Sequence, residues 1–189
     1  MAIKDDITKF LRSNPYITRI NFAFGAFKIY PGAYQKHVAD VFASEEIKIR
    51  MEGAGSAGAA YDMNYDSLEL KPSFDITITS DQGLLVHECT HAYLDMQKLG
   101  LHSGHENEGA GYLAEAVFLE AAGYPPIGSQ PVRIASHRIA KTVLAGIYWI
   151  PAVDVAALTS EVAKEPDYAT KVTYNSNGFE RSLIHKILR

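Results

Sequence analysis

Ser80-Asp81-Gln82-Gly83-Leu84-Leu85-Val86-His87-Glu88-Cys89-Thr90-His91-Ala92-Tyr93-Leu94-Asp95 is the stretch on which the reading of this chain turns. Leu84, Leu85, His87, Glu88, His91, Leu94 and Asp95 recur at helical intervals, and Thr79, Ser80 and Asp81 are all suited to cap the start. The spacing predicts a helix over 82–98 that stops near Gly100. Upstream the periodicity is two: Ile47 to Met51, Leu68 to Lys71 and Phe74 to Thr79 alternate as strands do, and the aromatic-rich run Asn21 to Tyr30 reads as another. Short helices are expected at Ile3 to Leu11 and Tyr34 to Phe42. Downstream the periodicity is helical again, from Asn107 to Ala122, Pro131 to Tyr148, Pro151 to about Lys164, and in a tail after Asn177-Gly178 carrying Phe179, Leu183, Ile184 and Ile187. Strands first and helices second argue for an α+β fold: a twisted, mostly antiparallel N-terminal sheet, then the decisive helix, then a helical C-terminal part. With 189 residues and no linker or repeat, one domain over 1–189 is expected.

Within the helix, His87-Glu88-Cys89-Thr90-His91 has the pattern HExxH. Residues four apart stack on one helical face, so two imidazoles there reach one metal ion. Glu88 is turned about 100° from His87, beside the metal rather than on it. It is placed to take a proton from a zinc-bound water and pass it to a leaving amine. At this composition a random order of residues would produce the pattern in only about 2% of chains. The bland reading is two histidines on a helix face with no ligand. A catalytic zinc needs a third protein ligand, and the candidates downstream are His102, His105, Glu106, Glu108 and Glu115.

The run Leu85 to Ala92, followed by Asn107-Glu108-Gly109-Ala110-Gly111-Tyr112-Leu113-Ala114-Glu115-Ala116, resembles the gluzincin metallopeptidases of the zincin group. In that group the third ligand is a glutamate at the start of a second helix, in an Asn-Glu or Glu-x-x-Ala context. The resemblance implies Glu108, 17 positions after His91, with Gly111 where alanine is common. The metzincin alternative would put a histidine at position 97, which is Gln97. Glu115 stays open as the third ligand, because a straight hairpin of helices 82–98 and 107–122 puts position 115 level with His91. Behind the ligands, Asp95 is one turn past His91 and suited to accept from a ligand imidazole. Thermolysin-like enzymes place an acid four residues after the ligand glutamate; that position is Tyr112 here. Tyr112, His137, Tyr148, Tyr174 and His185 are the candidate donors to a developing oxyanion.

The resemblance implies zinc (Zn2+) as cofactor, a zincin-like fold and hydrolysis of peptide bonds in a peptide or protein substrate, with Ser67 to Lys71 as an edge strand able to bind an extended peptide. The alternatives are a catalytically silent zinc-binding module on the same scaffold and a secreted effector protease with one narrow target. A net charge of −4 and the lack of any Lys/Arg run argue against nucleic acid and anionic lipid as partners. A single cysteine, Cys89, rules out an internal disulfide and a thiolate metal cluster. It sits off the metal face of the motif and reads as a packing thiol. The N-terminus lacks the apolar stretch of a secretory signal, and the longest greasy run, Val143 to Val153, is too short to span a membrane. A cytoplasmic location is the simplest expectation, with signal-free secretion left open, as is the oligomeric state. Two decoys are set aside: 53–58 matches GxGxxG but no helix is expected after it, and no GxSxG elbow supports a serine nucleophile.

Overall fold

A computed structural model describes residues 3–51, 58–126, 128–170, 173–176 and 178. The tail expected to be helical, including His185, lies outside the described residues, as does the GxGxxG string apart from Gly58. The architecture is mixed α+β. Helix α1 (Ile3–Ser13) buries Ile7, Phe10 and Leu11. Strands β1 (Phe22–Phe24) and β2 (Phe27–Ile29) form an antiparallel hairpin. The run Asn21 to Tyr30 is therefore two strands rather than one, because Gly25, at φ 57, supplies the left-handed turn that reverses the chain. A π-wound segment (Ala33–Val38) leads into α2 (Ala39–Ala43).

Strands β3 (Lys48–Arg50), β4 (Ala59–Asp62) and β5 (Ser67–Leu70) make a sheet in the order β3-β5-β4. β5 is thus central, not the expected edge. It pairs parallel with β3 and antiparallel with β4, which leaves β4 as the edge beside the decisive helix. Phe74 to Thr79 is a turn rather than a strand. Asp75 accepts from the Thr77 amide at 2.8 Å and hydroxyl at 2.7 Å, a local bond that competes with strand pairing.

Helix α3 (Thr79–Met96) follows from Ile78, with no side-chain cap from Thr79, Ser80 or Asp81. Asp81 is buried instead and accepts from Lys71 Nζ and the Asp75 amide, both at 2.9 Å, tying the preceding turn to the helix. Its outer face is locked by Tyr34: Thr90 Oγ1 donates to the Val86 carbonyl at 2.8 Å and so accepts from the Tyr34 hydroxyl, also at 2.8 Å. Buried Cys89 has its thiol pushed well up by desolvation, as suits packing rather than reactivity.

Strand β6 (Gly100–Ser103) pairs antiparallel with β7 (Thr173–Ser176), so not every strand precedes the decisive helix, and among the described residues the strands form three small sheets instead of one. Helix α4 (Gly104–Ala121) lies antiparallel to α3 and is flanked by α5 (Pro131–Leu144) and α6 (Ala152–Val162). The α3–α4 approach is close because glycines face large side chains across it. A Cβ on Gly83 would meet Leu119 at 3.1 Å, and one on Gly111 would sit 2.8 Å from His87 Nε2. No helix among the described residues is long and apolar enough to cross a membrane.

Candidate metal centre

His87 and His91 project from α3 toward α4, and Glu108 projects back from the second turn of α4. All three are buried, and their nearest ligand atoms lie within 4.8 Å of one another. Glu108 Oε2 is 3.4 Å from Nε2 of both histidines. That spacing is long for hydrogen bonds, which favour about 2.7–3.2 Å. For these two pairs it is the separation of donors around a tetrahedral ion with bonds of about 2.1 Å, where the edge of the tetrahedron is about 3.4 Å. Two nitrogens and a carboxylate oxygen are also the donor types zinc takes.

Each ligand is held from behind. His87 Nδ1 faces Glu115 Oε2 at 3.4 Å, an ion-pair contact without hydrogen-bond alignment, while Glu115 Oε1 accepts from Arg133 Nη1 at 2.5 Å. His102 Nδ1–H donates to the Gly100 carbonyl at 2.9 Å, so its Nε2 accepts from Asn107 Nδ2 at 2.8 Å. That bond turns Asn107 Oδ1 to accept from Nδ1–H of His91. The lone pair on Nε2 of His91 is thereby left for the site. Tyr174 donates to Glu108 Oε1 at 2.9 Å and stacks on the His91 ring.

The third-ligand alternatives thus separate. Glu115 sits behind His87, not beside the ligand atoms. The straight-hairpin expectation fails because α3 ends at Met96 rather than 98 and α4 begins at Gly104 rather than Asn107, where Ser103 caps it, accepting from the Glu106 amide at 3.2 Å. The earlier start brings Asn107 and Glu108 level with His91 and Gly111 level with His87. His102 supports Asn107, and His105 Nε2 donates to the Tyr168 carbonyl at 3.0 Å. Glu106 faces the far side of α4, against Gly25.

Asp95 does not hold a ligand histidine. Asn107 takes Nδ1 of His91 and Glu115 faces Nδ1 of His87, while Asp95 accepts from the Tyr61 hydroxyl at 2.9 Å and the Gly178 amide at 3.1 Å. It acts one step removed: Tyr61, on β4, donates its amide to Glu88 Oε2 at 2.7 Å and so holds that carboxylate. Tyr112 packs edge-on against His87, ring centroids 4.8 Å apart, under the Arg133 guanidinium. His137 pairs with Glu120 at 2.9 Å, and Tyr148 packs on Trp149; neither lines the cavity at His87.

That cavity, of about 310 Å³, is walled by β4, the histidines, Glu88, Glu108, Tyr112, Arg133, Tyr168 and Tyr174. Its charges are strongly coupled. Burial opposes a proton on His87, but Glu108 and Glu115 outweigh it and push the pKa up to about 10. Burial likewise raises Glu108 and Glu115, yet the facing histidines, with Arg133 for Glu115, hold both carboxyls below their ordinary range. Glu88 goes the other way, raised by burial against the pull of the histidines. Tyr112 is pushed up to about 12, mainly by burial, and keeps its proton at neutral pH. Arg133, Tyr168 and Tyr61 come from segments that no motif connects to HExxH. Only their contact with the site identifies them. No family model, curated protein or solved structure matches the chain.

Proposed function

We propose that this chain hydrolyses peptide bonds with a zinc ion held by His87, His91 and Glu108, on a zincin-like scaffold. The observation that carries the reading is the 3.4 Å spacing of Glu108 Oε2 from both Nε2 atoms, in a buried cluster whose outward-facing atoms have partners of their own. A zinc ion held there supplies Lewis acidity, polarising a carbonyl and acidifying water. The protein supplies the rest. Glu88, its pKa raised and its Oε2 held by the Tyr61 amide, takes the proton of the attacking water and returns it to the leaving amine. Tyr112 stays protonated at the cavity wall and can donate to the oxygen that gains charge. The edge strand β4 lines the cavity with Ala59, Ala60 and Tyr61 and offers an extended peptide a backbone to lie along.

The test is digestion of a broad peptide library by zinc-loaded protein, with and without chelator, beside Glu88→Gln. Activity should vanish with chelator and fall about 10²–10⁴-fold in Glu88→Gln, a usual range for a general base, while zinc stays bound. Undiminished cleavage by Glu88→Gln would sink the mechanism. Bound zinc with no cleavage of any library member would instead mark the chain as a zinc-holding module.

A further inference from the structure

We propose that a second groove, on the face of α4 opposite the metal centre, docks a lysine or arginine side chain of a partner peptide. The groove encloses about 680 Å³ between the β1–β2 turn, the start of α4 and α6. Its walls are mostly apolar, built by Ala23, Ile150, Val155 and Ala156, with the Trp149 ring at the rim. One carboxylate faces it, that of Glu106, and neither lysine nor arginine lines it. Among the described residues the Glu106 carboxylate has no ion pair and no hydrogen bond. Ser103 and Glu106 have the spacing of a reciprocal capping box, and the first half forms: Ser103 accepts from the Glu106 amide. The second half does not, and the carboxylate turns out beside Gly25, where a Cβ would lie 3.2 Å from Oε2.

A negative group in an apolar trough next to an indole selects a cation on an apolar stem. Lys28 already places its ammonium 5.7 Å from the centroid of the Trp149 ring. The occupant is a peptide rather than a small amine, because the volume exceeds one side chain and the walls that would meet its neighbouring residues are mostly apolar. Nothing in this proposal depends on zinc or hydrolysis.

Trp149 is the only tryptophan in the chain, so its fluorescence reports on the groove. The test titrates the zinc-loaded full chain with Nα-acetyl-lysine methylamide, its norleucine counterpart and butylamine. The lysine probe should give a saturable change with a dissociation constant on the order of millimolar, as its size permits. The norleucine probe and butylamine should each bind about tenfold more weakly, the first lacking the charge and the second the peptide groups. Glu106→Gln should erase the preference for lysine over norleucine. Ala156→Leu, which fills the groove from an exposed position, should weaken both. The proposal is overturned if the lysine probe does not saturate, if norleucine or butylamine binds as well, or if the preference survives Glu106→Gln.

Discussion

The two faces of α4 carry the same residue type in opposite circumstances. On the face toward α3, Glu108 and Glu115 are buried, and each contacts a ring nitrogen of His87 and a second polar group, Tyr174 or Arg133. On the other face Glu106 is only half-buried and its carboxylate meets an apolar groove. Helix propensity does not distinguish these glutamates. What does is the element each one faces: α3, with two histidines four residues apart, or a hairpin turn and α6, from which no cation among the described residues pairs with Glu106. A buried carboxylate survives only with partners, so the first face reads as a built ion site. The second reads as a surface waiting for a charge from elsewhere.

The largest break expected on the first face comes from Gly111→Ala. Its Cβ would lie 2.8 Å from His87 Nε2, the atom that faces Glu108, so the ring must move. Zinc affinity should fall on the order of 100-fold or more while circular dichroism stays that of a folded protein. Unchanged affinity would mean the ring can give way without cost.

A smaller effect separates the supports of the two histidines. Asn107→Ala and Glu115→Gln should each weaken zinc about 10–100-fold in a competition titration. Glu115→Gln should cost the more stability, up to about 3 kcal/mol by chemical denaturation, since it leaves the largely buried Arg133 charge unpaired, whereas Asn107→Ala leaves only neutral imidazole atoms without a partner, at about 1 kcal/mol. Equal stability losses would contradict that distinction.

The pH dependence of the zinc-free protein follows from the same charges. Glu108 and Glu115 sit below their ordinary 4.5, so their contribution is present above pH 4.5 and lost as the pH falls. His87 is raised from 6.5 to about 10, so its contribution is complete below pH 6.5 and lost as the pH rises toward 10. Thermal melts with chelator should therefore peak between pH 4.5 and 6.5. Zinc should remove the alkaline decline, because the ion replaces the proton on His87. A melting temperature still rising above pH 6.5 without zinc would be inconsistent with this charge arrangement.

What the sequence allowed to be read divides along the same line. HExxH was legible because spacing within a helix is set by the 3.6 period, whereas Glu108 came only from the resemblance to a known family, the hairpin geometry favouring Glu115. The start of α4 was placed three residues late because Ser103 lies in a glycine-containing loop that reads as irregular. That late start, together with a helix α3 that ends at Met96 rather than at 98, made Glu115 a rival to Glu108. The role given to Asp95 failed because a helical wheel tells which face a residue shares, not which strand packs there. Tyr61, Arg133 and Tyr168 were illegible for the same reason: they reach the cavity through the tertiary arrangement of β4, α5 and the segment after α6. The single-sheet expectation failed where local turns, at Gly25 and Asp75, outcompeted strand pairing.

On the proposed reading His87, His91 and Glu108 together hold one zinc ion. X-ray absorption at the zinc edge, on protein loaded to saturation, tests it most directly. One zinc per chain is expected, bound by two imidazole nitrogens and oxygen, with one imidazole lost in His91→Ala and both kept in His102→Ala. A sub-stoichiometric metal, or a spectrum unchanged by His91→Ala, would contradict it.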